Sequence, residues 1–87
     1  MRVMFCNFDM FSMTSTVLSM EEGKDVYPLF MGTFEDISNY MAAEYQTHRY
    51  DKIVLAGPYA EAVQDRIVTY SIVNYNQNEI NIEIVRD

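Results

Sequence analysis

Apolar residues recur with a period of two along three early stretches of the chain, residues 3–9, 16–20 and 25–31. Successive side chains of a β-strand point to opposite faces, so this period predicts three strands. Gly23 stands between the second and third stretches, where a tight turn needs a positive φ. Pro28 removes one hydrogen-bond donor from the third strand, which suits the edge of a sheet. These features predict an antiparallel meander whose third strand lies at the edge.

Two later stretches carry apolar residues at spacings of three and four, the period of an amphipathic helix. The first helix is predicted to begin at the capping hydroxyl of Thr33. Its buried stripe is predicted to consist of Phe34, Ile37, Met41, Tyr45 and His48. The second helix is predicted to open at Pro58, because the fixed φ of proline suits the first helical position. Its predicted buried stripe is Ala60, Val63, Ile67 and Tyr70.

Two further strands complete the predicted fold. Residues 53–56 are continuously apolar, which is typical of a parallel strand that is covered on both faces. Residues 79–85 alternate isoleucine with polar residues and predict a half-exposed last strand. The element order is then βββαβαβ within one domain, residues 1–87. Right-handed crossovers give an α/β fold with the sheet order 3-2-1-4-5, in which only the second strand is antiparallel.

The direction in which this sheet is built reverses between its first and fourth strands. Open α/β sheets bind ligands at such a point, outside the carboxyl ends of the strands. The candidate ligand-binding residues that meet there are Asp9, Ser12, Gly57, Pro58 and Tyr59. The carboxylate of Asp9 can either bind a ligand or accept hydrogen bonds from the backbone of the following turn, and the sequence leaves both roles open.

Composition and charge limit the partners. The 87 residues contain 13 acids and 6 bases, which gives a net charge of −7. Because nucleic-acid binding depends on Lys and Arg at the phosphates, a nucleic-acid partner is disfavoured. Cys6 is the single cysteine and is predicted to be a buried residue in a reducing compartment. No signal peptide or membrane span is evident, so we expect a cytoplasmic protein of a bacterial cell or an infected host, with no membrane partner.

The strand order and the position of Asp9, within Asn7-Phe8-Asp9, resemble the ribonuclease H-like fold. The similar proteins are compact members of that fold, the Holliday-junction resolvases of the RuvC type and the YqgF-like proteins. The resemblance implies a divalent metal ion at Asp9 and a second acid near the end of the fourth strand. Ala56, Gly57 and Pro58 occupy those places here, and the nearest acid is Glu61. A third acid, on a helix after the fifth strand, has no counterpart among the 87 residues.

The incomplete acid set favours a non-catalytic protein-interaction module with no cofactor. Its partner would be a second copy of the chain or another protein, as in small acidic accessory proteins of bacteriophages. The edge of the fifth strand supplies the candidate interface, namely Tyr70, Tyr75, Ile80, Ile82 and Ile84. Seven Tyr and seven Met either fill the core or contribute to such a contact surface.

Two alternatives remain open from the sequence. One is a minimal metal-dependent nuclease that holds Mg²⁺ or Mn²⁺ with Asp9 and Glu61 and is completed by the acids of a partner chain. The other is a binder of a nucleotide or phosphate ligand at the crevice between the first and fourth strands, where the amides that open the second helix point outward.

Overall fold

The computed structural model describes residues 1–8 and 14–86. Within those ranges the elements follow the predicted order βββαβαβ and form one compact domain. Their bounds are β1 Arg2–Asn7, β2 Ser15–Glu21, β3 Tyr27–Gly32, α1 Phe34–Thr47, β4 Lys52–Ala56, α2 Ala60–Tyr75 and β5 Ile82–Ile84. Neither helix is long and apolar enough to cross a membrane, as judged over the described residues.

The five strands form one mixed sheet in the predicted order β3-β2-β1-β4-β5. β1 lies at the centre, antiparallel to β2 and parallel to β4. Phe5 of β1 therefore lies directly between Leu18 of β2 and Val54 of β4. β3 is an edge strand that contains Pro28, and its register with β2 shifts beside Leu18. The predicted meander with its third strand at the edge is confirmed.

Both helices pack on the same face of the sheet. The crossovers from β3 to β4 and from β4 to β5 run in the same direction across the sheet, so right-handed connections place α1 and α2 on one side. Met4 and Cys6 of β1 face these helices and are buried, as are Ile53 and Leu55 of β4. Val54 points to the other side and is only half-buried. The expectation that the fourth strand is covered on both faces is therefore wrong.

α1 follows its predicted course except at its end. The hydroxyl of Thr33 accepts a hydrogen bond from the amide of Asp36 at the N-cap, 3.4 Å away. The helix buries Ile37, Ser38, Met41 and Ala42. His48 is an exposed C-cap residue in extended conformation, so its predicted place in the buried stripe is wrong. Because α1 ends at Thr47, His48 is no longer helical and its side chain does not continue the buried face of the helix.

α2 begins two residues later than predicted and its buried stripe is slightly rotated. The first helical residue is Ala60, with Tyr59 at the N-cap, so Pro58 belongs to the preceding turn. Ser71 is fully buried, whereas Tyr70 is only half-buried. The last strand, β5, is also shorter than the predicted residues 79–85. The predicted order and sheet position of each element hold, while these boundaries shift.

Candidate functional site

The turn between β4 and α2 packs directly on the carboxyl end of β1. Gly57 has a φ of +92°, and a Cβ placed there would lie 2.5 Å from Oδ1 of Asn7 and 2.9 Å from the carbonyl oxygen of Phe8. Both distances are shorter than any ordinary contact, so this junction has no room for even a methyl group. Gly57 therefore allows the turn before α2 to pack closely against the end of β1 at the predicted crevice.

The predicted site residues are distributed around this junction. Asp9 and Ser12 lie outside the described residues, so their roles stay predictions. Glu61 forms an ion pair with Arg86, and both side chains are exposed. These two residues, together with Gly57 and Pro58, line an open pocket beside β5. A metal ion at Glu61 would have to compete with the guanidinium of Arg86 for the carboxylate.

Metal-binding side chains do not cluster elsewhere in the described part of the chain. Residues 1–8 and 14–86 contain no group of three or more His, Cys, Asp or Glu side chains placed to hold an ion. The predicted pair of Asp9 and Glu61 stays a prediction, because one of its members lies outside these residues.

Tyr59, the remaining candidate at the crevice, belongs to an aromatic cluster. The ring of Phe8 contacts Phe34 and Tyr59 edge to face, with centroids 5.6 and 5.8 Å apart. The cluster lines an apolar pocket that also contains Thr14 and Glu35. Phe8 and Thr14 border the segment that includes Asp9 and Ser12. The aromatic contacts give Tyr59 a packing role at the start of α2.

Cys6 is a buried free thiol, as the sequence predicts. Its Sγ lies 3.3 Å from Oγ of Ser15, which also lies 2.7 Å from the carbonyl oxygen of Asn7 and donates to it. Burial raises the pKa of the Cys6 thiol, and the hydrogen bond with Ser15 opposes this only in part. The thiol is therefore neutral near pH 7, and only a thiolate is strongly nucleophilic.

A polar cluster lies at the opposite end of the sheet and was missed from the sequence. The Tyr50 hydroxyl donates to Oε2 of Glu44 over 2.8 Å, and the Arg2 guanidinium lies 4.5 Å from the centre of the Tyr50 ring. Nδ1 of His48 lies 3.1 Å from Oε1 of Glu44. Burial, followed by the hydrogen bond to Glu44, raises the pKa of Tyr50 well above that of free tyrosine. No local motif joins Arg2 to Tyr50, so only the folded chain brings them together.

The raised pKa of Tyr50 predicts a loss of stability in alkaline solution. Above about pH 10 an unfolded tyrosine ionises, whereas folded Tyr50 keeps its proton. The folded state then binds more protons than the unfolded state, so the free energy of unfolding falls as the pH rises. Urea unfolding from about pH 8 to pH 11 should show this fall, and Tyr50→Phe should make it shallower. The exposed Tyr75 provides the control, and an equal change in Tyr75→Phe would contradict the assignment.

Among residues 1–8 and 14–86, no helix lies on the sheet surface opposite α1 and α2, and most side chains of that surface are apolar. We call it the open face. Its centre is the row Leu18, Phe5 and Val54, which lie side by side on β2, β1 and β4. Other half-buried side chains around this row are Val3, Thr16 and Ala56. Met20 and Met31 lie on the same face toward β3 and are 39% and 70% exposed.

The charges described on the open face cancel. Lys52 and Glu83 lie on the β4 and β5 side of the face, where Nζ of Lys52 is 2.9 Å from Oε1 of Glu83. The chain as a whole has a net charge of −7. Acidic residues of α1 and α2, such as Glu35, Glu44 and Asp65, belong to the helical side of the sheet. The open face is therefore neutral within an acidic protein.

Of the residues predicted as an edge interface, all except the 40% exposed Tyr75 pack partly against the core, and their role in an interface stays a prediction. Ile80, Ile82 and Ile84 are half-buried and contact the hydrophobic core. Tyr70 and Tyr75 lie against each other on α2, with ring centroids 6.4 Å apart. The open face itself was missed from the sequence, although the alternation of Val3 and Phe5 with Met4 and Cys6 contained the signal for it.

Comparison with known proteins gives no relative: no protein family, curated protein or solved structure matches the chain. The ribonuclease H-like resemblance thus stays a prediction that depends on the strand order and on Asp9.

Proposed function

We propose that this protein is a non-catalytic protein-interaction module whose contact surface is the open face. The observation that carries the proposal is the apolar row Leu18, Phe5 and Val54, on a sheet face where the described part of the chain places no helix. An isolated exposed apolar residue is normal, whereas a contiguous apolar patch is typical of a contact site.

The extent of the patch supports this proposal. Neighbouring strands lie about 4.8 Å apart and each residue advances about 3.3 Å, so the face measures roughly 20 Å on a side, or about 400 Å² in projection. Asn7, Lys52 and Glu83 share this face, so the apolar patch covers only part of that area, about a few hundred Å², and apolar patches of this size are often functional. Removal of apolar surface from water contributes roughly 25 cal/mol of favourable free energy per Å². Burial of the apolar part of the open face by a partner would therefore favour binding.

The edges of the sheet are less suited to binding a partner strand. β3 contains Pro28 and a shift of register, and both features discourage the addition of another strand. β5 has three residues and offers few backbone groups at its free edge. The predicted edge interface at β5 is therefore less favoured than the open face.

The chemistry of the described side chains also favours binding over catalysis. Glu61 is paired with Arg86, and Cys6 is a neutral, buried thiol. Tyr59 packs its ring against Phe8. An enzymatic function would depend on Asp9, which would need further acids from a partner chain to hold a metal ion in a catalytic arrangement.

Binding of a hydrophobic fluorescent dye tests whether the open face is an accessible patch. At about 1 µM protein, where weak assembly is absent, we expect Leu18→Lys to lower the dye fluorescence severalfold. The matched control is Val73→Lys, which adds the same charge on α2, where Val73 is 75% exposed. Equal dye binding by the wild type and both variants would remove the observation that carries the proposal. A loss confined to Val73→Lys would move the contact surface to α2.

A further inference from the structure

We infer that the occupant of the open face is a second copy of this chain, so that two sheets stack into a two-fold symmetric sandwich. This inference rests on the proposed function and names its partner. It follows from the charge, the register and the size of the open face.

Charge distribution favours a second copy over a different protein. Two copies of a chain with a net charge of −7 repel each other over most of their surfaces. The open face contributes no net charge to this repulsion, because its charged residues, Lys52 and Glu83, form an ion pair. A basic partner would be recognised through acidic residues, and those of α1 and α2 belong to the other side of the sheet. Face-to-face stacking keeps both acidic sides in water.

Strand register makes the open face suitable for symmetric contact. In a two-fold contact the same patch on each copy meets itself, so its centre must be self-complementary. Phe5 occupies that centre on the middle strand, flanked by Leu18 and Val54. The neighbouring row contains Thr16 on β2, the exposed Asn7 on β1 and Ala56 on β4, all with shorter side chains than Phe5. Aligned sheets pack about 10 Å apart with their facing side chains interdigitated.

The area of the open face predicts a weak dimer. Two faces of roughly 400 Å² each give about 800 Å² in projection, which is below the size of about 1,200 Å² at which stable specific interfaces begin. Such a dimer is expected to dissociate in the micromolar range, about 10–100 µM. The symmetry is closed, so each open face is used once and no larger assembly follows.

Salt dependence separates this dimer from a complex held by opposite charges. The contact is apolar and neutral, while the remaining charge of each copy is repulsive. Added salt screens that repulsion, so the dimer should become tighter when the ionic strength rises from about 50 mM to 500 mM. A basic partner bound to acidic residues would show the opposite dependence.

The test measures the mass of the assembly by light scattering and then locates the contact surface with variants and by NMR. Light scattering of the whole chain from about 5 to 500 µM should show a monomer–dimer equilibrium. Leu18→Lys should raise the dissociation constant at least tenfold, and Val73→Lys should leave it unchanged. Met20→Lys is a second variant because Met20 is already 39% exposed, so we expect its replacement to be tolerated and to weaken the dimer in the same way. Circular dichroism confirms that each variant is folded.

The contact itself is located by NMR on an equal mixture of ¹³C-labelled and unlabelled protein. Intermolecular NOEs from the methyl groups of Leu18 and Val54 are expected. A dimer whose intermolecular NOEs arise from Ile82 or Val73 would overturn the inference, and so would a dimer that weakens with salt.

A monomer at every concentration would also overturn the inference, and dye binding then decides whether the proposed function falls with it. If the monomer binds dye and Leu18→Lys does not, the open face is vacant and its partner is another protein, so the proposed function stands. If neither protein binds dye, both the inference and the proposed function fail.

Discussion

Gly57→Ala is expected to lower the free energy of unfolding by about 2–4 kcal/mol. A Cβ at position 57 would lie 2.5 Å from Oδ1 of Asn7 and 2.9 Å from the carbonyl oxygen of Phe8. The second contact is with backbone, which cannot rotate away as a flexible side chain can. The φ of +92° adds strain, because residues with a Cβ rarely adopt it. The turn before α2 and the end of β1 must therefore separate.

Gly23 supplies the matched control for this prediction. It also has a positive φ, +80°, but a Cβ there would have nothing within 4 Å. Gly23→Ala should therefore cost only the conformational strain, about 1 kcal/mol. Urea unfolding followed by circular dichroism measures both variants, provided that the m-value is unchanged. If the two alanine variants lose the same stability, the packing of Gly57 against β1 contributes nothing.

Ile67→Ala is expected to destabilise the protein by about 2–5 kcal/mol. Ile67 lies on the buried side of α2, is fully buried and belongs to the core that joins the helices to the sheet. Removal of three carbons loses their transfer free energy and leaves a cavity that the surrounding elements fill only in part. For a domain of this size such a loss is a large fraction of the total stability.

Ile72 lies on the same helix and is 47% exposed, which makes Ile72→Ala the control for Ile67→Ala. The control has the same change in helix propensity but creates no cavity, so we expect a cost below about 1 kcal/mol. Thermal unfolding should show a fall in Tm of about 4–8 °C per kcal/mol. A fall in Tm as large in Ile72→Ala as in Ile67→Ala would contradict the assigned core.

Periodicity and chirality were sufficient to predict most of this fold. The period of two marked β1, β2 and β3, and the right-handed crossover rule fixed the order of the sheet. The same rule also places both helices on one face, because both crossovers run in one direction. The apolar run at residues 53–56 concealed this, since Val54 is as apolar as its buried neighbours but lies on the open face. The residue type alone does not show whether an apolar strand residue faces the helices or the open face.

The ends of the helices and the contacts between distant residues could not be predicted from the sequence for a different reason. The helix stripe continues in sequence to His48, but α1 ends at Thr47 so that the chain can enter β4. The pairing of Glu61 with Arg86 joins residues that are 25 positions apart, and no local pattern contains it. Asp9, which carried the prediction of a metal site, lies outside the described residues, so the structure adds nothing to that prediction.

The burial of Cys6 has a practical consequence for measuring the dynamics of the domain. It is the single thiol of the chain, is 1% exposed and lies on the central strand. A maleimide or disulfide reagent can reach it only when β1 opens, so the labelling rate reports how often the sheet comes apart. Mass spectrometry detects the modified chain at concentrations too low for assembly. The native cysteine thus reports the opening of the sheet without any engineered probe.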